Sequence, residues 1–209
     1  MFIPNADMTC LRQGDILSAV PFPRASSGDM AILGSIDPAK SVHPIPVLSP
    51  LCHQHREDRN WLTAQVPMRI CFCAVISQCC DLEPRHGRIQ MPAFSVARLI
   101  PVPKGIIADP QRLESLRQNK DPRDSTDPGY INLFHIPAND LLDGQEWVVD
   151  YSQIFSIPGS EFPAVLKKKM LQMEDRWRVK FKVKLAFSFT RLTEEERTTG
   201  LENPWTVVQ

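Results

Sequence analysis

Apolar residues along this chain fall in short blocks separated by prolines, and one block is unbroken: Ile70-Cys-Phe-Cys-Ala-Val-Ile76 runs straight into Ser77-Gln-Cys-Cys-Asp81. Seven apolar residues without polar alternation are too short for a helix and fit a strand covered on both faces, so Ile70, Phe72, Ala74 and Ile76 are expected in the core. Upstream, Leu11 to Phe22 predicts a glycine-initiated strand with Ile16 and Val20 on one face, ended by Pro21 and Pro23. Downstream, Glu83-Pro-Arg-His-Gly87 predicts a tight turn and Arg88 to Arg98 a returning strand, which makes a hairpin. Asp109 to Arg117 reads as a short helix capped by Asp109 and opened by Pro110. Strands are expected over Tyr130–Ile136 and Glu146–Ile157, with a turn at Asp143-Gly144 between them.

The C-terminal pattern fits two periods. Trp177, Val179, Phe181, Val183, Leu185, Phe187 and Phe189 alternate with mostly basic residues, which argues for a strand, whereas Trp177, Phe181, Leu185 and Phe189 are four apart, as on one helix face. Lys167 to Met173 is expected to be helical under either reading.

Composition narrows the class. With 43% hydrophobic and 23% charged residues, 209 residues can bury a core, which excludes wholesale disorder. Nineteen prolines against nine glycines predict short elements and long ordered loops. The net charge is zero, yet residues 166–192 hold nine Lys/Arg and only two Asp/Glu, so a basic C-terminal element faces an acidic remainder. That asymmetry serves either an anionic partner such as RNA or internal complementarity. No basic region followed by an apolar stretch opens the chain, and no run reaches membrane-spanning length. We therefore expect a cytoplasmic protein with six reduced thiols, no membrane contact and no cofactor.

The order of Gly14-Asp15-Ile16, Arg69 before the apolar strand ending at Ser77, Pro92-Ala-Phe-Ser95, and Val148-Val-Asp150-Tyr-Ser-Gln-Ile154 resembles the MazF/PemK-like toxin fold. Ser77-Gln78-Cys79-Cys80-Asp81 and Val148-Val149-Asp150 are closer still to a group of uncharacterised bacterial proteins with a Ser/Thr-Gln-x-Cys-Asp strand end. The resemblance implies an α+β protein built on a small SH3-like β-barrel with long loop insertions and a C-terminal basic helix over Arg176–Arg191. Residues 1–209 would then form a single barrel domain with a flap at 24–68, a second excursion at 101–128 and a helical element at 164–192.

It also implies an interaction or regulatory module in a prokaryotic toxin, stress or antiviral-defence system. The partner would be another protein of the same operon or defence complex, or single-stranded RNA. The alternative is a metal-independent endoribonuclease, in which Arg69 and Arg88 stabilise phosphorane charge and Asp81 moves a proton. Arg98, His86 and Ser95 are further candidates for that chemistry. As a binding surface we expect Ser77, Gln78 and Cys79 at the strand end and Lys180, Lys182 and Lys184 on the basic element. The plainer reading of Asp81 is a turn cap paired with Arg69. Cys79 and Cys80 read as a buried filler and its neighbour before they read as nucleophiles. Cys52, His53 and His55 with Cys71, Cys73, Cys79 or Cys80 offer enough zinc ligands, but there is no Cys-x-x-Cys knuckle, and no metal is expected.

Overall fold

The structure, a computed structural model, describes residues 1–23, 31–34, 43–46, 64–65, 68–79, 82–83, 89, 91–120 and 130–189, with 31–34, 43–46 and 64–65 described as backbone. The described strands are β1 Ile16–Pro23, β2 Ala31–Gly34, β3 His43–Pro46, β4 Ala64–Gln65, β5 Met68–Val75, β6 Ala93–Pro101, β7 Leu133–Ile136, β8 Trp147–Pro158 and β9 Lys169–Leu171. The helices are α1 Lys104–Ile107, α2 Pro110–Arg117, α3 Phe162–Leu166 and α4 Asp175–Phe189. The chain divides into two compact units, Met1–Ser18 with Phe72–Gln209, and Ala19–Cys71.

In the larger unit, six strands form an antiparallel sheet in the order β7-β8-β6-β5-β1-β9. The expected hairpin is present, with Cys73 opposite Arg98 and Val75 opposite Val96. Strand β1 joins β5 through a glycine bulge. Gly14, at φ 91°, donates its N–H to the Val75 carbonyl at 2.8 Å, and Val75 donates back to the Asp15 carbonyl at 2.9 Å, so two residues face one.

The sheet is open, which corrects the barrel expectation. Its two outer strands are each covered by other chain, so neither is left to close on the other. Along β9, Ile3 donates to the Gln172 carbonyl at 3.0 Å and Phe2 bridges Met173. On β7, the Asn119 side chain stands in for a strand: its Nδ2 donates to the His135 carbonyl and its Oδ1 accepts the His135 N–H, both at 2.8 Å.

Each face of the sheet is packed against helix. Val149, Tyr151, Ala74, Ala97 and Leu99 meet Phe181 and Leu185 of α4, and Phe181 stands edge-on to Phe134 and Tyr151 at 5.1 and 5.4 Å between ring centroids. Val148, on the opposite side by strand alternation, packs with Ile106 of α1 and Leu116 of α2. Asp109 caps α2 as expected, accepting from the N–H groups of Gln111 and Arg112, with Pro110 in the first turn. The turn before β8 has Asp143 and Gly144 both at positive φ, with Asn139 accepting the Leu141 N–H.

Three expectations need correction, and the two-period pattern at the C-terminus is decided. Cys73 to Ile76 are buried, but Phe72 is half-buried and Ile70 is 64% exposed, because β6 pairs only with Cys73–Val75 and leaves the first part of β5 without that neighbour. Lys167–Met173 is not helical: α3 ends at Leu166 and residues 169–171 are strand β9, paired with Ile16 and Leu17. The alternating segment at the C-terminus is helix α4, as the resemblance implies, and not the strand that its period-two pattern alone suggests. The flap at 24–68, expected as a loop insertion, contains a three-stranded sheet in which β2 pairs with both β3 and β4.

Candidate functional site

At the end of β5, the strand that carries Ser77 to Cys79, side chains are spent on backbone donors. Ser77 Oγ accepts the Ser95 N–H at 2.8 Å, and Cys79 Sγ accepts the Gln13 N–H at 3.3 Å. Gln13, itself buried, donates from Nε2 to the Ile76 carbonyl at 2.6 Å. These bonds splice β6 and the Gly14 bulge onto the strand end, so Ser77 and Cys79 hold local geometry. Gln78 is exposed beside them. Asp81, Arg88, His86 and Cys80 lie outside the described residues, as do Cys52, His53 and His55. Arg69 is exposed and belongs to the smaller unit.

Val148-Val149-Asp150 has a structural explanation. Ala97 of β6 faces Ile154, and the next residue, Arg98, faces Asp150, so Tyr151, Ser152 and Gln153 bulge from the ladder. The Asp150 carboxylate closes the bulge: Oδ1 accepts from Ser152 N and Oγ at 2.9 and 2.5 Å, and Oδ2 accepts from Gln153 Nε2 at 2.6 Å. Gln153 Oε1 in turn accepts from an Arg98 guanidinium nitrogen at 3.0 Å, while Arg98 Nε is buried without a hydrogen-bond partner. Tyr151 is thereby placed in the core, its hydroxyl donating to the Phe181 carbonyl at 3.3 Å.

A second polar cluster gathers where α2, β7, β8 and α4 converge. Arg117 makes a two-nitrogen pairing with Glu146 at 3.0 and 3.1 Å, and His135 Nε2 lies 3.5 Å from Glu146 Oε1. His135 is buried and burial lowers its pKa, with Glu146 opposing, so near neutrality the ring is uncharged and the contact is no ion pair. Burial pushes Glu146 up, but the Arg117 hydrogen bonds and the His135 contact outweigh it and leave its pKa lowered. Lys184 is 5% exposed; its Nζ reaches Asn119 Oδ1 at 3.5 Å, and burial drops its pKa to about 8. It is therefore not part of a cationic surface, which corrects the grouping of Lys184 with Lys180 and Lys182. Nothing in the sequence pattern points to His135, Glu146 or Asn119 as a cluster; the one local signal is an Asn just past a helix end, where left-handed backbone is favoured, and Asn119 has φ 45°.

Helix α4 divides the remaining candidates. At about 100° per residue, Phe181, Leu185 and Trp177 point toward the sheet, and Val179, Val183 and Phe187 point away. Phe181 is fully buried and Leu185 nearly so, whereas Val179 is 57% exposed. Lys180 and Lys182 border the outward stripe on opposite sides and are half-buried, with Lys180 Nζ 4.6 Å from the Trp177 ring centroid. A helix apolar on both faces is ordinarily covered on both.

No family model, curated protein or solved structure matches this chain.

Proposed function

We propose that this protein is an interaction or regulatory module, related to the MazF/PemK-like toxins, that works in the cytoplasm within a prokaryotic toxin, stress or antiviral-defence system. Its partner is another protein of the same operon or defence complex. The kinship rests on Gly14-Asp15-Ile16 and Val148-Val149-Asp150, which lead into the β1 bulge and the β8 bulge respectively. One observation carries the reading: α4 is anchored to the sheet by Phe181 and Leu185, yet on its other side leaves Val179 57% exposed beside the half-buried Val183, between two lysines. An apolar stripe with a charged rim has the composition of a protein interface.

The test is co-expression with the product of the adjacent gene. The complex is expected to co-purify with wild-type protein and to be lost with Val179→Glu, whose circular dichroism should be unchanged because the side chain is exposed. A complex indifferent to Val179→Glu would overturn this assignment of the interface. Incubation of purified protein with single-stranded RNA, chelator present, should leave the RNA intact. Cyclic phosphate ends, abolished by Arg69→Ala or Asp81→Ala, would instead establish the endoribonuclease reading with Arg69, Asp81 and Arg88.

A further inference from the structure

Resting on the reading of α4 as the docking element, we propose that its outer face receives an amphipathic helix of the partner protein, with acidic side chains on both borders of that helix's apolar stripe.

The shape of the surface favours a helix. Val179, Val183 and Phe187 are successive one-turn steps along the outward side of α4, a stripe of about 12 Å at 1.5 Å per residue, which matches the apolar anchors that two turns of a partner helix present. A partner strand would prefer an open sheet edge, and both outer strands of this sheet are covered.

Charge selects the partner's borders. Lys182 lies on one side of the stripe and Lys180 on the other, and Arg176 is exposed at its N-terminal end. The carboxylate in this part of the helix, Asp175, is paired with Arg178 at 2.7 Å. Acidic residues flanking a partner's apolar stripe meet these cations, whereas basic ones meet repulsion. The same argument disfavours a second copy, since packing α4 on α4 sets lysine border against lysine border. RNA fits less well, because Phe187, the one aromatic among the three outward residues, is half-buried, and Trp177 is packed against the core with Lys180 over its ring.

The test uses two fluorescent helical peptides of about five turns, identical in a Leu stripe but flanked by Glu in one and Lys in the other, titrated into full-length protein with anisotropy as readout. The Glu peptide should bind at least about tenfold more tightly than the Lys peptide, and less tightly as salt rises. Val179→Glu should abolish binding, and the double variant Lys180→Glu/Lys182→Glu should reverse the preference. Equal affinity for the two peptides, or Glu-peptide binding unchanged by these substitutions, overturns the proposal. Single-stranded RNA and sedimentation velocity run in parallel separate the two levels of the argument. RNA binding or dimerisation sensitive to Val179→Glu, with both peptides silent, overturns the acidic helix while leaving α4 a docking element; silence of every probe, with no Val179-sensitive co-purification, overturns both.

Discussion

Two lysines of the basic C-terminal segment are buried in the same unit, and their surroundings differ sharply. Lys169 has no exposed side chain, and its Nζ meets Asp15 Oδ2 at 2.7 Å, the carbonyls of Asp7 and Cys10 at 2.7 and 3.0 Å, and Gln172 Oε1 at 3.1 Å. Lys184 has Asn119 Oδ1 at 3.5 Å, and burial alone drives its pKa to about 8. An ammonium has three donors, so Lys169 is saturated and Lys184 is not. Lys169 thus behaves as a pin: it ties the N-terminal segment to β9 and the Gly14 bulge through groups drawn from four places in the chain. Lys184 is a burdened charge at the junction of α2, β7 and α4, and neutralising it relieves the fold.

The largest effect expected from this contrast is at the Lys169 pin. Burial pushes the Asp15 pKa up against the pull of Lys169, and Asp15 Oδ1 is buried without a hydrogen-bond partner, so removal of either charge leaves the other stranded. Lys169→Met should destabilise the protein by about 3–5 kcal/mol in chemical denaturation. Combining it with Asp15→Leu should recover much of that loss, since a buried pair is often replaceable by apolar side chains. A Lys169→Met loss below about 1 kcal/mol would mean that the pair is solvated and that the contrast with Lys184 is unfounded.

A smaller effect of opposite sign is expected at Lys184. Its folded pKa, about 8, lies below its ordinary value of 10.5, so between these pH values the unfolded chain holds more protons than the folded one. Stability from this group therefore rises as pH climbs from 8 to 10.5, and below pH 8 the full cost of the buried charge is felt. At about 1.4 kcal/mol per pKa unit, that cost is on the order of 3–4 kcal/mol, and Lys184→Met should gain part of it at neutral pH while flattening the alkaline rise. Melting temperatures across pH 7–10 check both; a Lys184→Met protein less stable than wild type at pH 7 would show that the Asn119 contact outweighs desolvation.

The contrast between the lysines also marks what could be read from the chain. Periodicity located most elements of the sheet because strands β5, β6 and β8 carry their own apolar pattern. Asp109-Pro110 and Asp143-Gly144 were legible because capping and positive-φ turns depend on adjacent residues. Strand β9 was not: Lys169-Met-Leu171 has helix-forming residues, and it is a strand because β1 offers an edge and Asp15 a counter-charge 154 positions away. For the same reason the segment 166–192 reads as one cationic surface, whereas packing sends Lys169 and Lys184 inward and leaves Lys180 and Lys182 beside the outward stripe. At the strand end, the sequence marked Ser77 and Cys79 for their reactive atoms, while those atoms accept backbone N–H groups whose positions only the fold determines.

The smallest effect sharpens the environment of Lys184 rather than its energy. His135, Glu146 and Arg117 adjoin it, and the lowered His135 pKa is set first by burial and then opposed by Glu146, with Arg117 and Lys184 lowering it further. Glu146→Gln removes the opposing carboxylate, so the His135 pKa should fall further, read from its imidazole proton shifts by NMR. The sign follows from linkage: a histidine whose folded pKa is below its ordinary 6.5 binds fewer protons folded than unfolded, so stability is lost as pH falls below 6.5, and the loss should steepen in Glu146→Gln. At pH 7.5, where the ring is neutral in both states, the Arg117 side chain is exposed to solvent that screens the pair, and its removal should cost the least of these changes. An upward movement of the His135 pKa in Glu146→Gln would mean that the 3.5 Å contact does not govern the ring, and that Lys184 sits in a cluster held together by Asn119 rather than by charge.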